Sequence, residues 1–127
     1  MAVANRAATP QNTAPLTLDQ QRAADAWRCA QGQGRDYVNL AKGLPALIMN
    51  SGLLQVMAFL KEKGSHCSVL GGHLRAWLHT RFRDVPEPFD GFMTAMMKAD
   101  SRKVQAVTAE SLAWLRWLRQ LAAAINP

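Results

Sequence analysis

The chain has 127 residues, of which 49 % are hydrophobic and 19 % are charged, and its formal net charge at pH 7 is +6. This length is typical of one domain with one core, and the apolar content excludes a chain that is disordered throughout. The basic balance favours an anionic partner such as a nucleic acid, although positive charge also serves solubility.

Residues 1–15, MAVANRAATPQNTAP, are predicted to form a flexible N-terminal tail. After Val3 the segment has no large apolar residue to offset the entropy of ordering it. It also lacks the continuous apolar core of a secretory signal. We therefore expect a single helical domain over residues 16–127.

The two cysteines, Cys29 and Cys67, are too few for a disulfide scaffold, and as small buried thiols they suit the cytoplasm.

The first predicted helix runs from about Leu18 to Gln31. Thr17 and Gln20 have the spacing of a capping box at its beginning. Apolar residues then recur at helical intervals, at Ala23, Ala24, Trp27 and Ala30. The glycines of GQG at 32–34 end the helix, because glycine readily adopts the left-handed conformation that follows one.

A long apolar run raises the possibility of a membrane segment. Between Leu44 and Leu60 the polar residues are Asn50, Ser51 and Gln55, and a membrane span needs about 20 apolar residues. Asn50, Ser51 and Gly52 form a turn signal that divides the run. The pattern therefore predicts two short buried helices and no membrane span.

The two helices of this run are expected to lie in the middle of a bundle. The first begins near Asp36, and Pro45 inside it should kink or split it. The second covers Gly52 to Lys63 and is apolar around most of its circumference, which is typical of a central helix.

Three further helical segments follow. A fourth helix is predicted from Val69 to Phe82, and a Pro-rich connection at 84–91 leads to a short helix. Asp100 or Ser101 then caps the longest helix, whose apolar residues repeat at spacings of three and four. No alternating strand pattern occurs, so the predicted fold is all-α, a single compact bundle of five or six helices with a long C-terminal helix.

The residues capable of chemistry do not predict an active site. Ser65, His66 and Cys67 are neighbours in sequence, which does not place a nucleophile beside its base and orienting group. The histidines and cysteines lack the close paired spacings of zinc sites, so we expect no metal and no cofactor. A weak hydrolase that uses His66 or His73 remains as an enzymatic alternative.

Basic side chains are better organised. Arg75, His79 and Arg83 recur every four residues on one side of the fourth helix. The last helix carries a polar sector opposite its tryptophans, formed by Arg102, Gln105, Arg116, Arg119 and Gln120. These are either solvated helix faces or a surface that contacts phosphates. A helix-turn-helix that reads DNA sequence is not expected, because the helix after the central turn offers only Gln55 before Lys61.

Several segments together resemble a known family. They are Arg22-Ala23 in the first helix, Tyr37, KGLPALIMNSGLLQVMAFL, and SLAWLRWLRQLAAA near the C-terminus. This arrangement resembles the small helical subunit of the type III-B CRISPR Cmr RNA-guided effector complex, over about residues 18 to 125. Its most specific part is LPALI followed by a short polar step and GLLQ, in which we interpret Pro45 and Gly52 as fold-forming.

The resemblance implies a non-catalytic subunit that stacks in a few copies along an RNA-guided filament in antiviral defence. Its implied partners are other Cmr subunits, further copies of itself, guide RNA and target RNA. Carrying the motif across, we expect Arg22 and Lys42 to be the first residues near nucleic acid, followed by Arg102 and Lys103. Backbone phosphates would be contacted without base readout.

The last helix has more apolar surface than one core face can cover. Trp114 and Trp117 cannot both face inward unless much of that helix is covered, so Trp117 is predicted to mark a subunit contact. Burial of both tryptophans is the alternative. The alternative function is a free-standing helical adaptor that binds a protein partner and whose basic charge is incidental.

Overall fold

The structure is a computed structural model that describes residues 14–127. Within them it contains six α-helices, which are α1 (Leu18–Ala30), α2 (Arg35–Ser51), α3 (Leu53–Lys63), α4 (Ser65–Arg81), α5 (Phe89–Lys98) and α6 (Ser101–Ile125). These residues form no strand, so the predicted all-α fold with a long C-terminal helix is confirmed. The predicted tail at 1–15 lies outside the described residues, apart from Ala14 and Pro15.

Helix α1 begins with the predicted capping box. The Thr17 hydroxyl accepts from the Gln20 amide at 3.1 Å, and the Thr17 amide donates to Gln20 Oε1 at 2.8 Å. The apolar residues that recur at helical intervals are not all buried, because Ala24 is exposed and the Trp27 side chain is 50 % exposed. The buried side chains of α1 are Ala26, Cys29 and Ala30.

Single glycines connect three successive helices. Gly52 joins α2 to α3 with φ +86° and ψ 154°, and Gly64 joins α3 to α4 with φ +70° and ψ −163°. Such backbone angles are open essentially to glycine alone. Because Gly64 lets the chain re-enter a helix at once, α4 begins at Ser65, four residues before the predicted Val69.

Pro45 does not split α2, which is continuous from Arg35 to Ser51. A proline removes one backbone hydrogen bond of a helix and crowds the preceding turn. Leu44 and Ile48, on either side of Pro45, are fully or almost fully buried, and their burial holds the helix together across the proline. The predicted split is therefore wrong, and the alternative, a kink at Pro45, stays a prediction.

Helix α6 lies at the centre of the bundle, packed against α1, α2 and α4. Its Trp114, Leu115 and Leu118 are fully buried. Helix α3 is less completely covered than its apolar circumference predicts, because its Phe59 is 38 % exposed. Among residues 14–127, no helix is long enough and apolar enough to cross a membrane.

Gly64→Ala is expected to lower the free energy of unfolding by about 1–3 kcal/mol, because alanine rarely adopts this backbone conformation. Gly43 inside α2 is the matched control, since an added Cβ would meet no atom within 4 Å apart from the adjacent residues and the backbone of its own helix. Gly43→Ala should raise the free energy of unfolding by about 0.5–1 kcal/mol. Urea denaturation measures both changes, and a Gly64→Ala protein as stable as the parent contradicts the prediction.

Candidate nucleic-acid interface

The four residues predicted to lie near nucleic acid are on three helices and differ in their surroundings. Arg22 is on α1, Lys42 is on α2, and Arg102 and Lys103 are in the first turn of α6. Lys42 and Arg102 are exposed and form no ion pair with any residue in 14–127. Arg22 and Lys103 are both bonded to carboxylates, so the structure divides the four into two free and two engaged cations.

Arg22 forms a bidentate ion pair with Glu110 of α6. Its Nε donates to Glu110 Oε2 at 2.7 Å and its Nη2 donates to Oε1 at 2.9 Å. The side chains are 19 % and 5 % exposed, respectively. A second, longer contact of 3.4 Å joins Arg22 Nη1 to Asp19. Contact between Arg22 and RNA stays a prediction, and its observed partners are protein carboxylates.

Glu110 connects three helices. Besides Arg22 of α1, it accepts a hydrogen bond of 3.0 Å from Trp77 Nε1 of α4, and Arg81 Nε of α4 lies 3.5 Å away. Burial by itself raises the pKa of this carboxyl, but hydrogen bonds from Arg22 and Trp77 and the charges of Arg22 and Arg81 outweigh it, so the pKa lies below its ordinary value.

Sequence reasoning did not find this role of Glu110. The available signal was its position on the apolar side of the last helix, three residues after Val107 and four before Trp114. A single acid at such a position needs a buried partner, because an unpaired buried charge is strongly unfavourable. The identity of that partner is not visible in the local pattern.

Lys103 forms an ion pair with Asp84 in the connection between α4 and α5. Its Nζ donates to the two carboxylate oxygens at 2.9 and 2.7 Å and lies 5.3 Å from the centre of the Phe82 ring. The hydrogen bond from Lys103 lowers the pKa of Asp84. Asp100 accepts from the Lys103 amide at 2.8 Å, which confirms Asp100 as one of the two predicted caps of α6.

The exposed face of α6 is basic. All five residues of the predicted polar sector are exposed, namely Arg102, Gln105, Arg116, Arg119 and Gln120. The one acidic residue of α6 is Glu110, which is buried. This helix is about 37 Å long at 1.5 Å per residue, so it presents an extended face that carries positive and no negative side chains.

A small cavity lies where this face meets α2. Its volume is about 230 Å³, and it is lined by Pro45 of α2 and by Leu112, Arg116 and Arg119 of α6. Helical spacing alone placed the two arginines in one sector. Their position next to Pro45 depends on how α2 packs on α6.

The basic residues predicted to line one side of α4, namely Arg75, His79 and Arg83, are largely bonded within the protein. Arg75 Nε donates to the Glu87 carbonyl at 2.9 Å, and its guanidinium lies 5.6 Å from the centre of the Phe89 ring. His79 Nδ1 donates to the Val85 carbonyl at 2.8 Å. Both side chains hold the chain that leads into α5. Arg83 is exposed but lies beyond the end of α4 at Arg81, so its predicted place on this helix is wrong. These three residues therefore do not form a free basic face.

The histidines and cysteines have structural neighbours. Tyr37 Oη lies 2.9 Å from His73 Nδ1, and burial lowers the pKa of His73. Cys29 and Cys67 are free and buried, as predicted, and burial raises the pKa of Cys29 to about 12. Over the described part of the chain, no cluster of three or more His, Cys, Asp or Glu side chains could hold a metal ion.

Both tryptophans of interest on α6 hydrogen-bond to acids of α1. Trp114 is fully buried and its Nε1 donates to Asp25 Oδ2 at 2.9 Å. Trp117 is partly buried, packs against the core, and donates to Asp19 Oδ1 at 2.9 Å. The hydrogen bond from Trp117 is the main influence on the pKa of Asp19, which lies below its ordinary value. A subunit contact through Trp117 stays a prediction.

A larger cavity, of about 650 Å³, lies between α2, α3 and the beginning of α4. It shares Leu47 and Phe59 with a neighbouring cavity of about 200 Å³. These two side chains are 39 % and 38 % exposed. The surface at this side of the bundle is therefore more apolar than the exposed face of α6.

Comparisons with known proteins agree with one another. The family model described as CRISPR-associated protein (Cas_Cmr5) matches residues 18–125. The "CRISPR system Cmr subunit Cmr5" of Thermus thermophilus is 32 % identical over 98 residues, which are 76 % of this chain and 81 % of that protein. The crystal structure of a CRISPR-associated Cmr5 family protein from the same organism matches with a TM-score of 0.73 and 26 % identity, and the match covers 88 % of this chain and 100 % of that chain. The resemblance predicted from the motifs is confirmed.

Glu110→Ala is expected to lower the free energy of unfolding by about 3 kcal/mol or more, because Arg22 and the Trp77 N–H lose their buried partner. Lys103→Met is the matched control: it breaks the more exposed pair with Asp84 and should cost much less. Chemical denaturation measures both, and equal losses would contradict a special role for the buried carboxylate.

The same carboxylate should make stability depend on pH. Because the pKa of Glu110 is lowered in the folded protein, its ionised form contributes fully above the ordinary value of 4.5 and is lost as the pH falls through the lowered value. The difference in stability between the parent and Glu110→Gln should therefore shrink as the pH falls below 4.5 and through the lowered pKa. A difference that stays constant over this range argues against the assignment.

Proposed function

Because the chain belongs to the Cmr5 family of CRISPR-associated proteins, we propose that it is a non-catalytic small subunit of a type III-B Cmr ribonucleoprotein complex. In this role several copies stack along the complex and contact the backbone of guide and target RNA in the cytoplasm, in antiviral defence. The observation that carries the proposal is the family match over residues 18–125, which spans all six helices.

A scaffolding role agrees with how the chain uses its reactive side chains. The relative from Thermus thermophilus is named as a subunit. In this chain the Cys29 thiol is buried and its pKa is raised to about 12, so it carries no thiolate at neutral pH. His73 and His79 hydrogen-bond to Tyr37 and to a backbone carbonyl. These groups support the fold, and cleavage of RNA is assigned to neighbouring subunits.

Contact with RNA follows from the distribution of charge. A subunit that lies along a guide–target duplex can contact phosphates with lysine and arginine and needs no base readout. Of the four predicted residues, Lys42 and Arg102 are exposed and unpaired within residues 14–127. They are the proposed contacts. Arg22 and Lys103 already have carboxylate partners within the protein.

Assembly with other Cmr subunits and with further copies agrees with the apolar side of the bundle. Leu47 and Phe59 border two adjoining cavities, and their side chains are 39 % and 38 % exposed. Exposed apolar groups of this kind are typical of surfaces that pack against another protein. This surface differs from the basic face of α6 in composition.

Purification of the tagged full-length chain from its native host tests the proposal. We expect larger CRISPR subunits to copurify, together with small RNAs that share a constant repeat-derived end. Mass spectrometry identifies the proteins and sequencing identifies the RNA. If the chain is recovered as a monomer with neither, while the CRISPR locus is expressed, the Cmr proposal fails and the adaptor function takes its place.

Trp117→Ala is expected to weaken association between copies while the monomer stays folded, provided that Trp117 marks the subunit contact. Trp27→Ala is the matched control, because Trp27 is half exposed on α1 and no contact is proposed for it. Sedimentation velocity measures association and circular dichroism measures helix content. Loss of the helical signal in Trp117→Ala would place Trp117 in the core, and equal weakening by both variants would remove its special role.

A further inference from the structure

We propose that the cavity between α2 and α6, lined by Pro45, Leu112, Arg116 and Arg119, binds the phosphodiester backbone of an RNA strand. The inference rests on the proposed function. It assigns the RNA contact to a particular site, which the family motifs did not indicate. Arg116 and Arg119 provide the positive charge of the cavity, while Pro45 and Leu112 provide its apolar part.

The two arginines have unused capacity for an anion. They are three residues apart on α6, so they are neighbours on the helix surface, where like charges repel each other. Both are exposed, and neither is ion-paired within the described part of the chain. Asp19 is near enough to Arg116 for their charges to interact, but it is bonded to Trp117 and Arg22.

A phosphate group would both bind the unpaired guanidinium groups of Arg116 and Arg119 and reduce the repulsion between them. Guanidinium groups match the geometry of phosphate oxygens and form strong charge-assisted hydrogen bonds with them. An anion placed between Arg116 and Arg119 also relieves their mutual repulsion. A cavity of about 230 Å³ has room for such a group beside the apolar surface of Pro45 and Leu112, which suits a sugar.

The charge around the cavity favours a long polyanion over a single phosphate. Arg102 lies fourteen residues before Arg116 on the same exposed face of α6, about 21 Å away along the helix. Lys42 is about one turn before Pro45 on α2 and is exposed. Because α6 has no exposed acidic residue, a strand that follows this helix meets no negative side chain of α6.

Pro45 has a specific place in this site. Helix α2 is continuous through Pro45, and the proline closes one side of the cavity at the surface of α6. It lies within the LPALI motif, which by itself indicated only a fold-forming role. The packing of α2 on α6 thus brings that motif next to the two arginines.

The test uses the reconstituted Cmr complex with its guide RNA and a labelled single-stranded RNA complementary to the guide. Arg116→Glu/Arg119→Glu should enter the complex normally but weaken binding of the labelled RNA by about tenfold or more. The dependence of affinity on salt should become shallower, by about 0.7 in slope for each phosphate that the variant no longer neutralises. Arg83→Glu/Lys98→Glu, with the same change of charge at two exposed positions, should leave both quantities unchanged.

Three results would overturn the site. The first is an unchanged RNA affinity in Arg116→Glu/Arg119→Glu, and the second is an equal reduction by Arg83→Glu/Lys98→Glu. The third is a folded arginine variant that fails to enter the complex, which would mean that the cavity binds a protein subunit. If charge reversal prevents folding, Arg116→Gln/Arg119→Gln gives the same comparison.

A fourth variant separates failure of the site from failure of the proposed function. Lys42→Glu/Arg102→Glu changes the two free cations among the residues predicted to lie near nucleic acid and leaves the cavity arginines intact. If it weakens RNA binding while Arg116→Glu/Arg119→Glu does not, contact with RNA stands and the cavity site falls. If neither pair affects RNA binding, both the site and the proposed RNA contact fail.

Discussion

A buried carboxylate, Glu110, sets the arrangement on which the rest of the structure depends. It bonds to Arg22 of α1 and to Trp77 of α4, with Arg81 close by, so one side chain of α6 joins three helices. A buried ion pair contributes little by itself, but loss of one partner leaves a charge that water cannot reach. This cost restricts α1 and α4 to positions on α6 that keep the carboxylate satisfied.

The polar contacts of α1 also decide which of its side chains face outward. Asp25 and Asp19 accept hydrogen bonds from Trp114 and Trp117, so α1 meets α6 through charged residues as well as through alanines. The helix is thereby turned so that Arg22 points inward and Trp27 is left half exposed. Hydrophobic periodicity assigns the opposite positions to these two residues, because it treats every charged residue as a surface residue.

Tertiary packing sorts the positive charges into two groups with different roles. Cations near acids, such as Arg22 and Lys103, hold separate parts of the chain together. The cations on the exposed face of α6 have no exposed acidic residue of that helix beside them. Part of the net charge of +6 is therefore located on this face. A face of this kind suits contact with a phosphate backbone, which requires positive charge at many points and no recognition of bases.

The sequence by itself determined the helices, several of their boundaries and the family, because helix periodicity, capping residues and glycine turns are local signals within a few residues of one another. The turn at Gly52 and the cap at Asp100 were predicted for this reason. The beginning of α4 at Ser65 was not predicted, because it depends on the backbone conformation of Gly64. The partner of each charge was decided only by the tertiary structure. Arg22 and Glu110 are 88 residues apart, and Pro45 reaches the arginines of α6 through packing alone. Local patterns carry no information about such distant contacts, since the same charged side chain can face water or a buried acid.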